Sequence, residues 1–136
     1  MKITVDTNVL LRFLVRDDPD QSEVARQELE RADRLVFPIG TLLEAAWVLH
    51  RRYRLDKGEI SARLRGLIAV DKADLDRPAV EAGLAMMALG GDFADGVIAY
   101  QGRVQRADVF VSFDRKAVRL LVESGQPARL AGTTWP

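Results

Sequence analysis

Four acidic side chains lie either directly after an apolar stretch or at the start of a segment with helical periodicity. Asp6 follows the apolar stretch "MKITV", and Asp114 follows the stretch "VFVSF". Glu44 and Asp95 each lie in what the pattern predicts to be the first turn of a helix. Carboxylates that are brought together resist ionisation unless a positive charge lies between them. Because carboxylate oxygens are good ligands for hard cations such as Mg²⁺, these four residues indicate a candidate metal site.

The composition excludes most other catalytic groups. The 136 residues include no Cys and one His, so disulfides, thiolate nucleophiles, zinc–thiolate sites and histidine metal cages are ruled out. His50 lies in a helical pattern beside Arg51 and Arg52, and we expect a surface or packing role for it. The formal net charge is zero, which provides no long-range attraction to a polyanion. Any metal must therefore be bound by oxygen.

Length and hydropathy predict one globular domain that spans residues 1–136. Hydrophobic residues make up 48% of the chain and charged residues 29%, which is typical of globular proteins. No segment reaches the roughly 20 apolar residues that a helix needs to cross a bilayer. The apolar stretch at residues 9–15 contains Arg12 and has no basic segment before it, so it does not resemble a signal peptide. We expect a cytoplasmic protein without membrane contact.

Strand patterns and helix patterns alternate along the whole chain. The predicted strands are residues 2–5, 35–38, 73–75, 108–113 and 127–131, with helical periodicity between them. This order predicts an α/β fold, a three-layer α/β/α sandwich around a central parallel sheet of four to five strands. Ligands of such sheets bind beyond the carboxyl ends of the strands. The four acids all lie at strand ends or helix starts, where the topology can bring them to one edge.

Helix capping is the simpler explanation for each acid taken singly. Asp6, Asp92 and Asp114 all occupy possible N-cap positions. In "TLLE", Thr41 and Glu44 have the spacing of a capping box. A cap of this kind contributes about 1 kcal/mol to stability. Capping alone therefore does not identify a functional site.

The neighbours of the acids are not explained by capping. Asp6 is followed by Thr7 and Asn8, and Ser112 precedes Asp114 by two residues. Apolar residues that we expect to be buried flank each acid. Short hydrogen-bonding side chains beside partly buried carboxylates are what a cation site requires.

Four segments of the chain resemble the acidic motifs of the PIN-domain ribonucleases, in the same order. These segments are "VDTNVLL", "TLLEAAWVL", "DFADGVIA" and "VSFD". The length and arrangement of the chain also resemble the bacterial single-domain toxins of type II toxin–antitoxin modules, the VapC-like group. The resemblance covers essentially the whole chain.

The resemblance implies a role for particular residues. The catalytic, metal-binding acids of the family match Asp6, Glu44, Asp95 and Asp114, and its polar second shell matches Thr7, Asn8 and Ser112. Asp92 matches an acid that is often present in the same motif, where it either joins the metal site or caps the helix. Gly96 stands where the family more often has Ala, and we expect this difference to affect the local stiffness of the helix.

The resemblance also implies the reaction and the partners. The reaction is hydrolysis of RNA by water with Mg²⁺ or Mn²⁺, which leaves 5′-phosphate and 3′-hydroxyl ends. The expected partners are RNA, a cognate antitoxin that docks a tail into an apolar groove, and a second copy of the chain in a homodimer. Candidate groove residues are Trp47, Leu49, Leu64 and Ile68, for which a place in the core is the favoured alternative. Candidate contacts to the RNA backbone are Arg51, Arg52 and Arg54, for which a solvated helix face is the favoured alternative.

Three other interpretations remain open at this point. A haloacid-dehalogenase-like phosphatase needs a second Asp at the position of Asn8. A receiver-like Mg²⁺-binding module needs an acid adjacent to Asp6 and a Lys at the end of a late strand, but Lys116 lies in the predicted helix after that strand. An RNA-binding module that has the same acids without nuclease activity would share every motif above.

Overall fold

The computed structural model describes residues 1–133, which form seven helices and five strands. The chain consists of two compact units, of which the first is Met1–Arg77 and the second begins at Pro78. Both units have parallel strands with helices between them. The predicted α/β class is thereby confirmed, while the extent of the domain remains a prediction.

The first unit contains a three-stranded parallel sheet in the order β1-β2-β3. Its elements in chain order are β1 (Lys2–Thr4), α1 (Thr7–Val15), α2 (Pro19–Arg31), β2 (Arg34–Val36), α3 (Ile39–Arg51), α4 (Lys57–Ile68) and β3 (Ala73–Asp74). In the register of the sheet, Leu35 lies between Ile3 and Ala73. Leu35 and Ala73 are buried, as expected for parallel strands covered by helices.

Asp74 connects the three strands of this sheet by charge. Lys2 on β1 approaches Asp74 with Nζ 3.1 Å from Oδ2, and Arg34 on β2 donates hydrogen bonds to both of its carboxylate oxygens. The hydrogen bonds from Arg34, and next those from Lys2, lower the pKa of Asp74 to about 2. The pairs are partly exposed, so we expect them to specify register more than to supply stability.

The second unit contains a two-stranded parallel sheet and three helices. Its elements are α5 (Arg77–Ala88), whose first residue closes the first unit, α6 (Phe93–Val104), β4 (Phe110–Ser112), α7 (Arg115–Glu123) and β5 (Ala128–Leu130). Phe110 pairs in register with Ala128, and Ser112 pairs with Leu130. One buried cluster joins all three helices and is covered by both strands; it comprises Met86, Ala99, Ala117, Leu120 and Leu121, with Phe110 and Ala128 packed against it.

The five predicted strands are present and all their pairings are parallel. The sequence pattern predicts one central sheet of four to five strands, whereas the structure pairs the strands as a group of three and a group of two. The helices also lie where the periodicity predicts them, within a few residues at each end. Within the described residues, no helix is long and apolar enough to cross a membrane.

The predicted capping box at Thr41 is wrong. Helix α3 begins at Ile39, with Pro38 at the N-cap position and no capping bond from a side chain. The amide of Thr41 donates to the carbonyl of Pro38 at 3.0 Å, so Thr41 is already inside the helix. Proline cannot donate a backbone hydrogen bond and its φ suits a helix start, which explains why the helix begins earlier. Glu44 therefore lies in the second turn and does not serve as a cap.

Helices α5 and α6 approach each other closely at two glycines. A Cβ atom added to Gly96 would lie 2.6 Å from the carbonyl oxygen of Ala82 and 2.9 Å from Cα of Gly83. A Cβ atom added to Gly83 would lie 2.6 Å from the ring of Phe93. All three distances are too short for real atoms. Gly96, which the sequence analysis connected with helix stiffness, is thus required for the contact between the helices.

We expect Gly96→Ala to lower the free energy of unfolding by about 1–3 kcal/mol, because the methyl group collides with the backbone of α5. The matched control is Gly102→Ala in the same helix, where the new Cβ would lie 3.7 Å from Cβ of Ala107, an ordinary contact. This control should be stabilised by about 0.4–1 kcal/mol through the less flexible unfolded chain. Urea unfolding of both variants measures the difference, and equal midpoints would contradict the tight contact.

Candidate metal centre

Three carboxylates come together in the second unit. Asp92, Asp95 and Asp114 each offer a carboxylate oxygen, and these oxygens all lie within 4.8 Å of one another. Asp92 is the N-cap residue of α6, Asp95 lies in the first turn of the same helix, and Asp114 is the N-cap residue of α7. The cluster is thus formed by the starts of two helices.

Asp114 is fixed in place by two hydrogen bonds. Its backbone amide donates to Oγ of Ser112 at 3.0 Å, and its Oδ1 accepts from the amide of Ala117 at 3.0 Å. The second bond is the predicted N-cap. A carboxylate has two oxygens with several acceptor positions, so capping through Oδ1 is compatible with binding a cation. Ser112 thus restrains the backbone of Asp114, while its predicted role beside a bound metal stays a prediction.

Asp95 is the most shielded acid of the cluster. It is half-buried, whereas Asp92 and Asp114 are exposed. Burial, and next the negative charges of Asp92 and Asp114, raise the pKa of Asp95 above its usual range. Both effects disfavour the ionised form. A cation bound between the three groups would offset the repulsion and favour the ionised form of Asp95.

The donor set fits a hard divalent cation. All three groups offer oxygen, and two of them are open to solvent, where water can complete the coordination. Mg²⁺ is bound in proteins by one or a few carboxylates together with waters, and Mn²⁺ accepts the same ligands. Structural zinc sites use nitrogen and sulfur ligands, which are lacking here.

The remaining predicted acids belong to the first unit. Asp6 is exposed and caps α1, with Oδ1 accepting from the amide of Val9 at 3.0 Å. Its predicted neighbours Thr7 and Asn8 are the first two residues of α1, the former half-buried and the latter exposed. Glu44 is exposed on α3. The roles of these four residues stay predictions.

The arginines predicted to bind RNA lie at the end of α3. Arg51 is the last residue of the helix, Arg52 is its C-cap, and Arg54 has a left-handed backbone with φ 54°. All three side chains are exposed. The tight turn presents them to solvent within four residues, while their contact with RNA stays a prediction.

The predicted groove residues separate into two groups. Leu49 and Leu64 are almost completely buried, which agrees with their alternative place in the core. Trp47 is 61% exposed, although the core was the favoured expectation for it. Trp47 and Leu49 lie two positions apart on α3, so they point to different faces of the helix.

Phe113 is the functional candidate that the sequence analysis missed. It was included in a predicted strand, and apolar neighbours of the acids were expected to be buried. In the structure β4 ends at Ser112, and Phe113 is 88% exposed directly beside Asp114. The signal in the sequence was the polar and charged surroundings of Phe113, in "SFDRK", which are unusual for a buried aromatic residue.

The fold and the carboxylate cluster define an α/β protein with a candidate divalent-cation site made of oxygen ligands. The model of the PIN domain matches residues 3–121. The chain therefore belongs to the PIN-domain family, as the resemblance of its motifs implied. PIN domains are generally nucleases and typically bind divalent metals. Membership of the family therefore assigns the chain to the nucleases as a broad class. No curated protein sequence matches the chain.

We expect Asp95→Asn to change the thermal stability of the protein in two opposite ways. In EDTA the variant should have a higher Tm than the wild type, because it removes a half-buried charge from between two like charges. Mg²⁺ or Mn²⁺ should raise the Tm of the wild type by stabilising the folded state that binds it, and should leave the variant unchanged. Thermal unfolding with and without metal measures both effects.

The control for this experiment is Asp56→Asn. Asp56 caps α4 by accepting from the amide of Glu59 at 2.8 Å, and Asn caps helices about as well as Asp. The control should therefore respond to metal as the wild type does. An equal metal response in Asp95→Asn would show that the cation binds elsewhere.

Proposed function

We propose that the chain is a metal-dependent ribonuclease that hydrolyses RNA phosphodiester bonds with water as the nucleophile. The observation that carries the proposal is the cluster of three carboxylates around the half-buried Asp95. Membership of a family of nucleases supports the reaction class. Asp95 and Asp114 hold the metal in this proposal, with Asp92 as a further ligand. The motif match adds Asp6 and Glu44 as metal-binding acids.

A bound Mg²⁺ or Mn²⁺ would supply the positive charge that makes water acidic and offsets the charge that grows on the phosphate. The chain contributes the arrangement of the ligands. Asp95 provides a carboxylate that is partly shielded from water, so its attraction to a cation is screened less than that of the exposed Asp92 and Asp114. The backbone of Asp114 donates a hydrogen bond to Ser112, and its carboxylate accepts one from the amide of Ala117 in α7. These bonds restrict the orientation of the side chain before any ligand binds.

The absence of Cys and the surface position of the one His agree with a mechanism in which the cation, and not a basic side chain, activates water. His50 is exposed near the end of α3, in the unit that does not contain the three-carboxylate cluster. The cluster consists of three carboxylates and includes no histidine or cysteine. Activation of water by a cation requires no such side chain.

The purified protein should cleave RNA with Mg²⁺ or Mn²⁺ and should lose this activity in EDTA. Replacing a metal ligand should cost at least about a hundredfold in rate, because even outer residues of metal sites contribute 10- to 100-fold. We therefore expect this loss for both Asp95→Asn and Asp114→Asn, measured on labelled RNA with the fragment ends identified. Products with 5′-phosphate and 3′-hydroxyl ends are expected, because water attacks phosphorus directly and the bond to the 3′ oxygen breaks.

The Asp114→Asn variant separates capping from metal binding, because Asn retains the cap and removes the charge. Asp56→Asn is again the matched control and should retain full activity. Cleavage that persists in both cluster variants would show a contaminating nuclease or another site. Metal binding and RNA binding without any cleavage would instead identify the RNA-binding module without nuclease activity.

We further propose that the chain is the toxin of a toxin–antitoxin pair, forms a homodimer and is neutralised by a small antitoxin protein. The support is the resemblance of its motifs and length to the VapC-like group. Expression of the chain alone in a bacterial host should therefore arrest growth, because cellular RNA is cut without an inhibitor. The Asp95→Asn variant, expressed at the same level, should permit normal growth.

Growth curves and protein levels of the two strains measure this effect. Asp56→Asn should arrest growth as the wild type does. Normal growth with a protein that cleaves RNA in vitro would contradict the toxin role and leave a nuclease of another cellular function.

A further inference from the structure

Phe113 has an unusual position for an exposed aromatic residue. It is 88% exposed, more than any other large apolar side chain in residues 1–133. A single exposed apolar side chain is ordinary and indicates nothing by itself. Phe113, however, lies between Ser112 and Asp114, directly beside an acid of the carboxylate cluster. An exposed ring is therefore carried by the residue next to an acid of the candidate catalytic site.

The backbone on either side of Phe113 is fixed. Ser112 ends β4 and accepts a hydrogen bond from the amide of Asp114 at 3.0 Å, which closes a bend around Phe113. Asp114 in turn caps α7, and α7 is anchored by its buried residues Leu120 and Leu121. An aromatic side chain on such a fixed support loses little freedom when a flat partner stacks on it.

Two cations follow this aromatic residue. Arg115 and Lys116 are exposed in the first turn of α7, and no acid lies in that turn of the helix. Cations at a helix N-terminus oppose the helix dipole, so helix stability does not explain them. Neither forms an ion pair in the part of the chain that the structure describes. They are thus available to bind an anionic group such as a phosphate.

We propose that Phe113 stacks on an unpaired base of the RNA beside the bond that is cut, while Arg115 and Lys116 contact the neighbouring phosphates. This inference rests on the proposed ribonuclease function and adds a residue that selects the substrate. Bases of single-stranded or looped RNA are accessible to stack on aromatic side chains, whereas paired bases in a duplex are not. Phe113 is accordingly a positioning residue that favours RNA with an unpaired base at the cleavage site.

The surroundings of Phe113 favour a nucleic acid over a protein partner. A protein-binding surface usually presents a contiguous apolar patch. Phe113 is followed by three charged residues, and it does not line the apolar groove of the same unit, which includes Ile98, Phe110 and Pro127. A single exposed ring followed closely by two cations matches the combination of aromatic and basic side chains that binds single-stranded nucleic acids.

The test compares four proteins: the wild type, Phe113→Ala, Phe113→Leu and Phe113→Trp. The probe is a short unstructured RNA that carries 2-aminopurine, used alone or annealed to its complement. Binding is measured in EDTA, where cleavage is absent, and kcat/KM is measured with Mg²⁺. Because Phe113 is exposed, the variants should fold, and their Tm values check this.

We expect the single-stranded probe to bind roughly tenfold more weakly to Phe113→Ala and Phe113→Leu, and as tightly to Phe113→Trp. Leu keeps the apolar volume and removes the aromatic face, so it isolates stacking. The aminopurine fluorescence change on binding should disappear in the same two variants. All four proteins should bind the duplex equally weakly. Self-association measured by sedimentation should be unchanged.

The cations are tested by salt dependence. Replacing both Arg115 and Lys116 by Ala should reduce the slope of log Kd against log salt by about 0.7 for each phosphate group that the variant no longer binds. Phe113→Ala should leave this slope unchanged, because stacking releases no counterions.

The outcomes separate the inference from the proposed function. Weaker binding by Phe113→Ala and Phe113→Leu without any cleavage by the wild type would support stacking and overturn the nuclease. Normal cleavage and binding by both variants would overturn stacking and leave the nuclease in place. Unchanged RNA binding with altered self-association would show that Phe113 contacts a protein. A wild type that binds no RNA would overturn the inference as well.

Discussion

The repulsion between three carboxylates is the constraint on which the second unit depends. Asp92, Asp95 and Asp114 have oxygens within 4.8 Å of one another, and Asp95 is partly removed from water. A fold does not place charges in this way at no cost, since each negative group disfavours the ionised state of the others. Part of the cost is offset by the positive ends of two helix dipoles, because α6 and α7 both begin at the cluster. A divalent cation would offset the rest.

This constraint explains why capping and metal binding are not competing interpretations. Asp114 caps α7 through one oxygen, and the start of a helix is where a carboxylate is best tolerated. A protein that must hold several acids together therefore gains by placing them at helix starts. Asp95 is the residue that separates the two ideas. It lies inside the first turn of α6, and its half-buried position is not needed for a cap.

The cluster requires rigid support, which the packing of three helices provides. Gly83 and Gly96 allow α6 to approach α5 so closely that a methyl group at either glycine would collide with its neighbour. The buried side of α7 joins the same core through Ala117, Leu120 and Leu121. Interiors packed at this density transmit small displacements, so the positions of Asp95 and Asp114 are coupled to the core of the unit.

Local signals in the sequence were sufficient for the order of the elements, and all three clustered acids were among the residues named from the sequence, while their binding of a metal stays a prediction. Periodicity and strand patterns depend on residues near each other in the chain, and they placed α6, β4 and α7 correctly. The start of α3 was misplaced because "TLLE" fits a capping box while Pro38 fits a helix start equally well, and only the backbone decides between them. The exposure of Phe113 and the division of the strands into a three-stranded and a two-stranded sheet depend on contacts between residues far apart in the chain, which local sequence patterns do not reveal. The close contact between Gly96 and helix α5 could not be predicted for the same reason. A glycine in a helical pattern does not indicate whether it faces solvent or the backbone of another helix.

The acids of the first unit show how far capping extends as an explanation. Asp6 caps α1 through the amide of Val9, so its local role is satisfied without any ligand. Glu44 has no such role, because α3 begins at Ile39 and the predicted capping box does not form. An exposed Glu in the second turn of a helix has a favourable intrinsic propensity and needs no further reason to be there. Burial and two neighbouring charges both act against the carboxylate of Asp95, whereas Asp6 is exposed and already has a capping hydrogen bond, so Asp95 is the acid whose position a bound cation would stabilise most.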